Sequence, residues 1–158
     1  MSVKDVYTPE EWQLLLKLPL TVGLSVIVLA PSGPIGLVKE TAALAQAPFA
    51  LAHESNANAL VSALALELQA QAKAIAKQEQ DAIKHAQPAD VKAKTIAACQ
   101  NAAAALTKAS TEDAEAYRHW VLAVGQKVAE AAKDGGVLVS DQEKMLLKEF
   151  GAALGASS

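Results

Sequence analysis

Apolar residues recur at helical spacing along most of the chain, and polar residues fill the opposite faces. The rhythm is clearest over residues 14–26, 60–83 and 120–132, where apolar side chains return every three or four positions. Such spacing places one apolar stripe along each helix. Runs of β-branched residues are short. The pattern therefore predicts an all-α, single-domain bundle of about six to eight helices over residues 1–158.

The two ends of the chain carry copies of one pattern. The first copy has Leu20, Val22, Gly23, Val26, Ala30, Gly33 and Ile35, and the second has Leu122, Val124, Gly125, Val128, Ala132, Gly135 and Val137. In each copy an apolar helix carries a glycine, breaks at a Gly-rich turn, and restarts as a second helix. Because one hairpin cannot bury its stripe alone, two pseudo-repeated helical hairpins should pack against each other. Gly23 and Gly125 should then lie where helices approach closely.

Capping and proline signals predict the limits of the first half. Thr8 and Glu11 have the spacing of a capping box, with Pro9 at the first helical position. Pro19 should kink this first helix or divide it in two, because proline lacks an amide donor. A second helix is predicted over residues 35–47, ending near Pro48.

The second half has fewer breaks. Residues 54–87 could form one long helix or two, and Asp90 is predicted to cap the helix that follows. Ser140 and Glu143 form a second capping box. The last helix should turn Met145, Leu146, Leu147 and Phe150 towards the core, and residues 151–158 should be a frayed tail.

Composition narrows the function classes. Apolar residues make up 52% of the chain and aromatic residues only 4%. Much of the remaining apolar content is alanine, which favours close contact between helices over ligand binding. The net charge is -3, Arg118 is the only arginine and the lysines are scattered, which argues against a nucleic-acid partner. Cys99 is the only cysteine, so no intramolecular disulfide can form, and it should be a small buried apolar residue.

The apolar stretch 18–30 is the nearest approach to a membrane span. It is shorter than the roughly 20 residues that cross a bilayer and contains Pro19 and Gly23. Residues 1–7 are polar and of mixed charge, so we expect no secretory signal peptide there. A buried core helix, no transmembrane span and a cytoplasmic location are therefore expected, and peripheral contact with a membrane surface is left open.

The segment from Ala131 to Leu147 carries a recognisable turn, with Asp134-Gly135 followed by apolar residues and then by Ser140 and Glu143. This segment resembles the turn of the tellurite-resistance protein B (TerB-like) family, and the Thr8 to Glu40 half resembles its first copy. The resemblance implies an all-α bundle of two helical hairpins whose acidic turn residues have been proposed to bind divalent metal. It covers the two terminal hairpins, and Ser32 stands where the family's first turn would carry aspartate.

Candidate chemistry is sparse. Asp134 and Glu143 are the metal candidates, with Asp141 beside them, but hard cations take six or more oxygen ligands. Glycine freedom in the turn and helix capping explain the same residues. Glu115 and His119 lie one helical turn apart, yet no second helix offers a matching motif, so a surface position is favoured.

Trp12 and Trp120 are predicted to sit at equivalent ends of the two repeats, as core residues or, alternatively, as walls of a shared ligand pocket.

These observations favour a non-enzymatic helical module that acts through protein-protein contacts, and the resemblance to the TerB-like family implies a stress-response system similar to tellurite resistance. A protein partner or a homo-oligomer is expected, and no cofactor. The alternatives are a helical subunit or scaffold of a larger assembly, facing a partner chain or a membrane surface, and a small-ligand or metal-dependent enzyme on the same bundle.

Overall fold

A computed structural model describes residues 3–30, 33–54, 58–131 and 141–155, with backbone only for 33–37. These residues form six α-helices: α1 (Pro9–Leu29), α2 (Gly33–Glu54), α3 (Ala59–Ile83), α4 (Pro88–Ala105), α5 (Thr111–Ala131) and α6 (Asp141–Leu154). Short 3-10 turns span Val3–Val6 and Leu106–Lys108. The predicted all-α bundle is confirmed for the described part of the chain.

Helix α1 lies at the centre of the bundle. It packs against α2, α3, α4 and α5 and touches α6. Of the described helices it alone is long and apolar enough to cross a membrane, and 67% of its most apolar window is buried inside the protein. Its apolar residues point in several directions, so one partner helix could not cover them.

The start of α1 follows its sequence signal. The Glu11 amide donates to Thr8 Oγ1 over 3.1 Å, and the Thr8 amide donates to Glu11 Oε2 over 2.9 Å, which completes the predicted capping box. Ser110 holds the equivalent position before α5, where its Oγ accepts from the Asp113 amide over 3.1 Å.

Pro19 lies inside α1 without dividing it, so the alternative of two separate helices is wrong. Proline has no amide hydrogen, and the Leu15 carbonyl therefore loses its usual partner four residues on. The buried Tyr117 hydroxyl of α5 donates to this carbonyl over 2.8 Å. A side chain of the second hairpin thus satisfies the acceptor that Pro19 leaves open in the first.

The first helices of the two hairpins match in length and in the position of their glycine. Helices α1 and α5 are both 21 residues long, and aligning them end to end pairs Gly23 with Gly125. A Cβ atom at Gly23 would overlap Leu44 of α2, and one at Gly125 would lie 2.6 Å from Leu147 of α6. Each glycine thus receives a leucine from the second helix of its own hairpin, as the repeat predicts.

A buried glutamate lies one turn before each of these leucines. Glu40 in α2 is 0% exposed and Glu143 in α6 is 1% exposed. The repeat therefore extends to a buried carboxyl group at matching positions of the two second helices.

The surroundings of the two hairpins differ. Helix α2 packs most extensively on α5, where Trp120 Nε1 donates to the Pro48 carbonyl over 2.8 Å. Helix α6 barely touches α1, because α4 lies between them and packs on both. Ser25 of α1 and Thr95 of α4 meet through their buried hydroxyl oxygens at 2.6 Å. The pseudo-repeat therefore applies within each hairpin, but the helices that pack against the two hairpins are different.

Two predicted boundaries are wrong, and one open alternative is resolved. Helix α2 runs through Pro48 to Glu54 instead of ending near Pro48. Of the two alternatives for residues 54–87, the structure has a single helix, Ala59–Ile83. Gln87 precedes α4 with Pro88 at its first position, so Asp90 lies inside the first turn and does not cap it.

The predicted tail is also helical at its start. Helix α6 continues to Leu154, whose side chain is fully buried together with Phe150, because these residues close the apolar face of the last helix. The end of the chain from 156 onwards lies outside the described residues.

The hydrogen bond between Tyr117 and Leu15 predicts coupling with Pro19. Tyr117→Phe leaves a buried carbonyl unpaired and should lower the free energy of unfolding by about 1–3 kcal/mol. In a Pro19→Ala background the alanine amide can donate instead, so the same change should have a smaller effect. Urea unfolding of the four proteins measures this coupling. An equal penalty in both backgrounds would show that the hydroxyl does not compensate for the proline.

The two glycines should respond differently to alanine. Val22, β-branched and fully buried, would lie 3.1 Å from the new methyl at position 125, whereas at position 23 only the flexible end of Leu44 is in the way. Alanine gains about 1 kcal/mol of helix propensity. Gly23→Ala should therefore be close to neutral, and Gly125→Ala should destabilise by about 1–2 kcal/mol. Chemical denaturation checks the order, and the reverse order contradicts the packing described here.

Candidate functional site

The predicted metal residues are only partly described. Asp134 lies outside the described residues, and so does Ser140, the predicted cap of the last helix. Asp141 is exposed at the first position of α6, and Glu143 is buried two residues later. Within the described ranges, no group of three or more His, Cys, Asp or Glu residues is placed to hold a metal ion. The metal hypothesis stays a prediction.

The other candidate groups have structural positions. Glu115 and His119 are exposed on α5, as the surface interpretation predicts. Cys99 is fully buried in α4, and burial raises the pKa of its thiol to about 12. A thiol in that state is a poor nucleophile at neutral pH. The interpretation of Cys99 as a small buried apolar residue is confirmed.

The two tryptophans are buried but not equivalent. Trp12 lies in the first turn of α1, and Trp120 lies near the middle of α5. Their predicted symmetry is wrong, because the alignment of α1 with α5 pairs Trp120 with Leu18. Trp12 contacts the Tyr7 ring at 5.9 Å, whereas Trp120 meets Tyr117 edge-on at 6.0 Å. Each is a core residue of its own region.

A polar cluster fixes the start of α1 to its neighbours. Glu67 of α3 accepts from Trp12 Nε1 and pairs with Lys4 at 2.9 Å, and Lys4 also lies 5.9 Å from the Trp12 ring centroid. Glu11 pairs with Lys108 at 2.7 Å. Hydrogen bonds from Lys4 and Trp12 lower the pKa of the Glu67 carboxyl, and those from Lys108 and Thr8 lower the pKa of Glu11.

An open groove of about 480 Å³ lies between α4 and α6 at the end of α1. Leu29 and Leu146 contribute apolar surface, and Met145 projects from α6 with 62% of its surface exposed. Placing Met145 on the core side of the last helix was wrong, because α6 turns Leu146 and Phe150 inward and leaves this residue outside. The helical pattern alone could not separate neighbouring apolar residues on so short a helix.

The rim of this groove is polar. Lys92 of α4 and Glu149 of α6 form an ion pair at 2.8 Å. Gln142 Nε2 donates to the Leu29 carbonyl over 2.8 Å, which satisfies one of the free acceptors at the end of α1. The groove therefore combines apolar and charged side chains, and an ion pair and a hydrogen bond connect its walls.

A second cavity, of about 310 Å³, lies between α1, α2 and α3. Its lining is mostly apolar, and two alanines of α3, Ala72 and Ala76, form part of its wall. The sequence favoured close helix contact for such alanines. Here their small side chains leave space that larger residues would fill, and no sequence signal distinguishes these two outcomes.

Comparison with protein-family models, with curated proteins and with solved structures gave no match for this chain. The resemblance to the TerB-like family therefore rests on the residues quoted above.

The lowered pKa values of Glu67 and Glu11 predict acid sensitivity. A carboxyl whose pKa is lower in the folded state stabilises the protein above its ordinary pKa of 4.5, and this contribution is lost as the pH falls through the folded value. Glu67→Gln should therefore be less stable than wild type at about pH 7, and the difference should shrink at about pH 3.

Urea unfolding at both pH values provides the measurement. Glu10→Gln removes an exposed glutamate of the first turn of α1 and serves as the matched control. A Glu67→Gln penalty that does not change with pH would rule out the charge of Glu67 as its cause.

Proposed function

We propose that this protein is a non-enzymatic helical module that acts through protein-protein contacts in a stress-response system of the tellurite-resistance kind. The groove between α4 and α6, with Met145 exposed in its lining, is the observation that carries the proposal. Met145 is the main exposed apolar side chain of this contact surface, and the half-buried Leu29 adds to it.

The anatomy of the groove supports a protein partner. Interfaces between proteins combine an apolar centre with a polar rim, and methionine is enriched in them. The flexible, polarizable side chain of Met145 adapts to partners of different shape. The Lys92–Glu149 pair lies at the border, where it would help to orient a partner without contributing much affinity.

The surroundings of the buried hydroxyl and thiol groups also support binding rather than catalysis. The Tyr117 hydroxyl is engaged with the Leu15 carbonyl, and the Cys99 thiol is buried with a raised pKa. The Ser25 and Thr95 hydroxyls lie within hydrogen-bonding distance of each other, and each is also within that distance of a backbone carbonyl of its own helix. These groups stabilise helix contacts, and none of them is presented at the Met145 groove.

The stress-response assignment draws on the resemblance of the turn sequences. The matching frames of α1–α2 and α5–α6 support it, since two equivalent helical hairpins are what the resemblance implies.

Deletion and complementation test this proposal. Loss of the gene should lower tolerance to tellurite, and the wild-type gene should restore it. Met145→Lys should fail to restore tolerance because it places a charge within the contact surface. Leu66→Lys is the matched control, since Leu66 is 74% exposed on α3, away from the groove.

Two results would contradict the proposal separately. Unchanged tellurite tolerance after deletion would remove the stress-response role. Full complementation by Met145→Lys would remove the groove as the contact surface. Thermal melts and light scattering on the purified variants verify that both remain folded and show whether the partner is a second copy of the chain.

A further inference from the structure

The cavity between α1, α2 and α3 is a separate feature from the Met145 groove. Leu20 and Leu24 of α1 and Leu44 of α2 are buried residues of its lining, and Phe49, Ala72 and Ala76 line it further along. Thr41, Lys73 and Gln80 are exposed and mark its mouth. The result is an apolar space of about 310 Å³ with a polar entrance.

Small residues explain why the space is open. Gly23 has no Cβ, and the end of Leu44 occupies the position that a Cβ would take. Leu44 therefore leans towards α1 instead of extending into the cavity. On the α3 side, Ala72 and Ala76 present only methyl groups. Larger residues at these positions would fill the volume without changing a helix boundary.

The second hairpin provides an internal comparison. The helix alignment pairs Leu20 with Leu122 and Leu24 with Gln126, and the Leu44–Leu147 match pairs Ala45 with Lys148. Gln126 and Lys148 are exposed. The second hairpin therefore keeps leucines at the positions of Leu20 and Leu44 but is polar where the first hairpin has Leu24 and Ala45, so the apolar lining at these two positions is particular to the first hairpin.

The charge at the entrance indicates the kind of ligand. Lys73 is the only charged residue among the described residues that line the cavity. Binding sites of this type fix orientation with a few polar groups on an otherwise apolar wall. A volume at the lower end of the usual 300–1,000 Å³ range suits a flexible single chain better than a bulky ring system.

We propose that this cavity binds a single-chain amphiphile with an anionic head, such as a free fatty acid. The hydrocarbon chain lies against Leu20, Leu24 and Leu44, and the carboxylate faces the Lys73 ammonium at the mouth. The site is independent of the protein-contact function proposed for the Met145 groove.

Titration calorimetry with dodecanoate below its micellar concentration tests the site. Wild type should bind one dodecanoate, and affinity should rise by about fourfold per added methylene from octanoate to dodecanoate. Ala76→Phe fills the cavity and should abolish binding while the melting temperature stays the same or rises. Ala74→Phe, on the exposed side of α3, is the matched control and should bind like wild type.

Two further variants test the details. Lys73→Gln should weaken dodecanoate by about threefold and leave dodecanol unchanged, because only the former carries the charge. Gly23→Ala should weaken both ligands, since it pushes Leu44 into the cavity.

The outcomes are distinct. No dodecanoate binding by wild type, or equal binding by Ala76→Phe and Ala74→Phe, would overturn the site. An unchanged dodecanoate affinity in Lys73→Gln would overturn the role of the anionic head. Flotation with vesicles of phosphatidylcholine containing phosphatidylglycerol separates the sources: co-flotation that Ala76→Phe does not reduce would show that a membrane surface, not the cavity, attracts the protein.

Discussion

The structure depends on surrounding one helix that is apolar on several sides. Helix α1 has buried residues from Trp12 to Ile27, so no single hairpin could cover it and four other helices pack around it. Its interior proline adds a second requirement, because the Leu15 carbonyl needs a donor that the helix lacks. Tyr117 of the second hairpin, 102 residues further along the chain, supplies that donor. The contact between the two hairpins is therefore polar as well as apolar.

Much of this frame could be predicted from the sequence, because it follows from local rules. The Thr8 capping box and the close approaches at Gly23 and Gly125 follow from residue type and spacing. The effects of Pro19 and Pro48 could not be predicted in the same way. Both lie inside continuous helices, and at Pro19 a hydroxyl of α5 satisfies the carbonyl that the proline leaves without a donor.

The candidate sites were harder to predict, because they depend on how well neighbouring helices fill the space between them. From the sequence, Ala76 could equally lie at a tight helix contact or in the wall of a cavity, and only the position of α3 decides between the two. Met145 and Leu146 are adjacent apolar residues, and only the orientation of α6 exposes the first and buries the second. The two hairpins have matching helices but differ on their surfaces: an apolar cavity lies beside α1 and α2 of the first, whereas an open groove lies beside α6 of the second.

Hydrogen exchange of the α1 amides, measured on the purified protein without detergent or lipid, tests the central position of this helix most directly. If α1 is the centre of the bundle, the amides of residues 15–27 should exchange only through global unfolding, with the same free energy that urea unfolding gives. Exchange through local opening at a much lower free energy, or protection that arises only when lipid is added, would contradict the account.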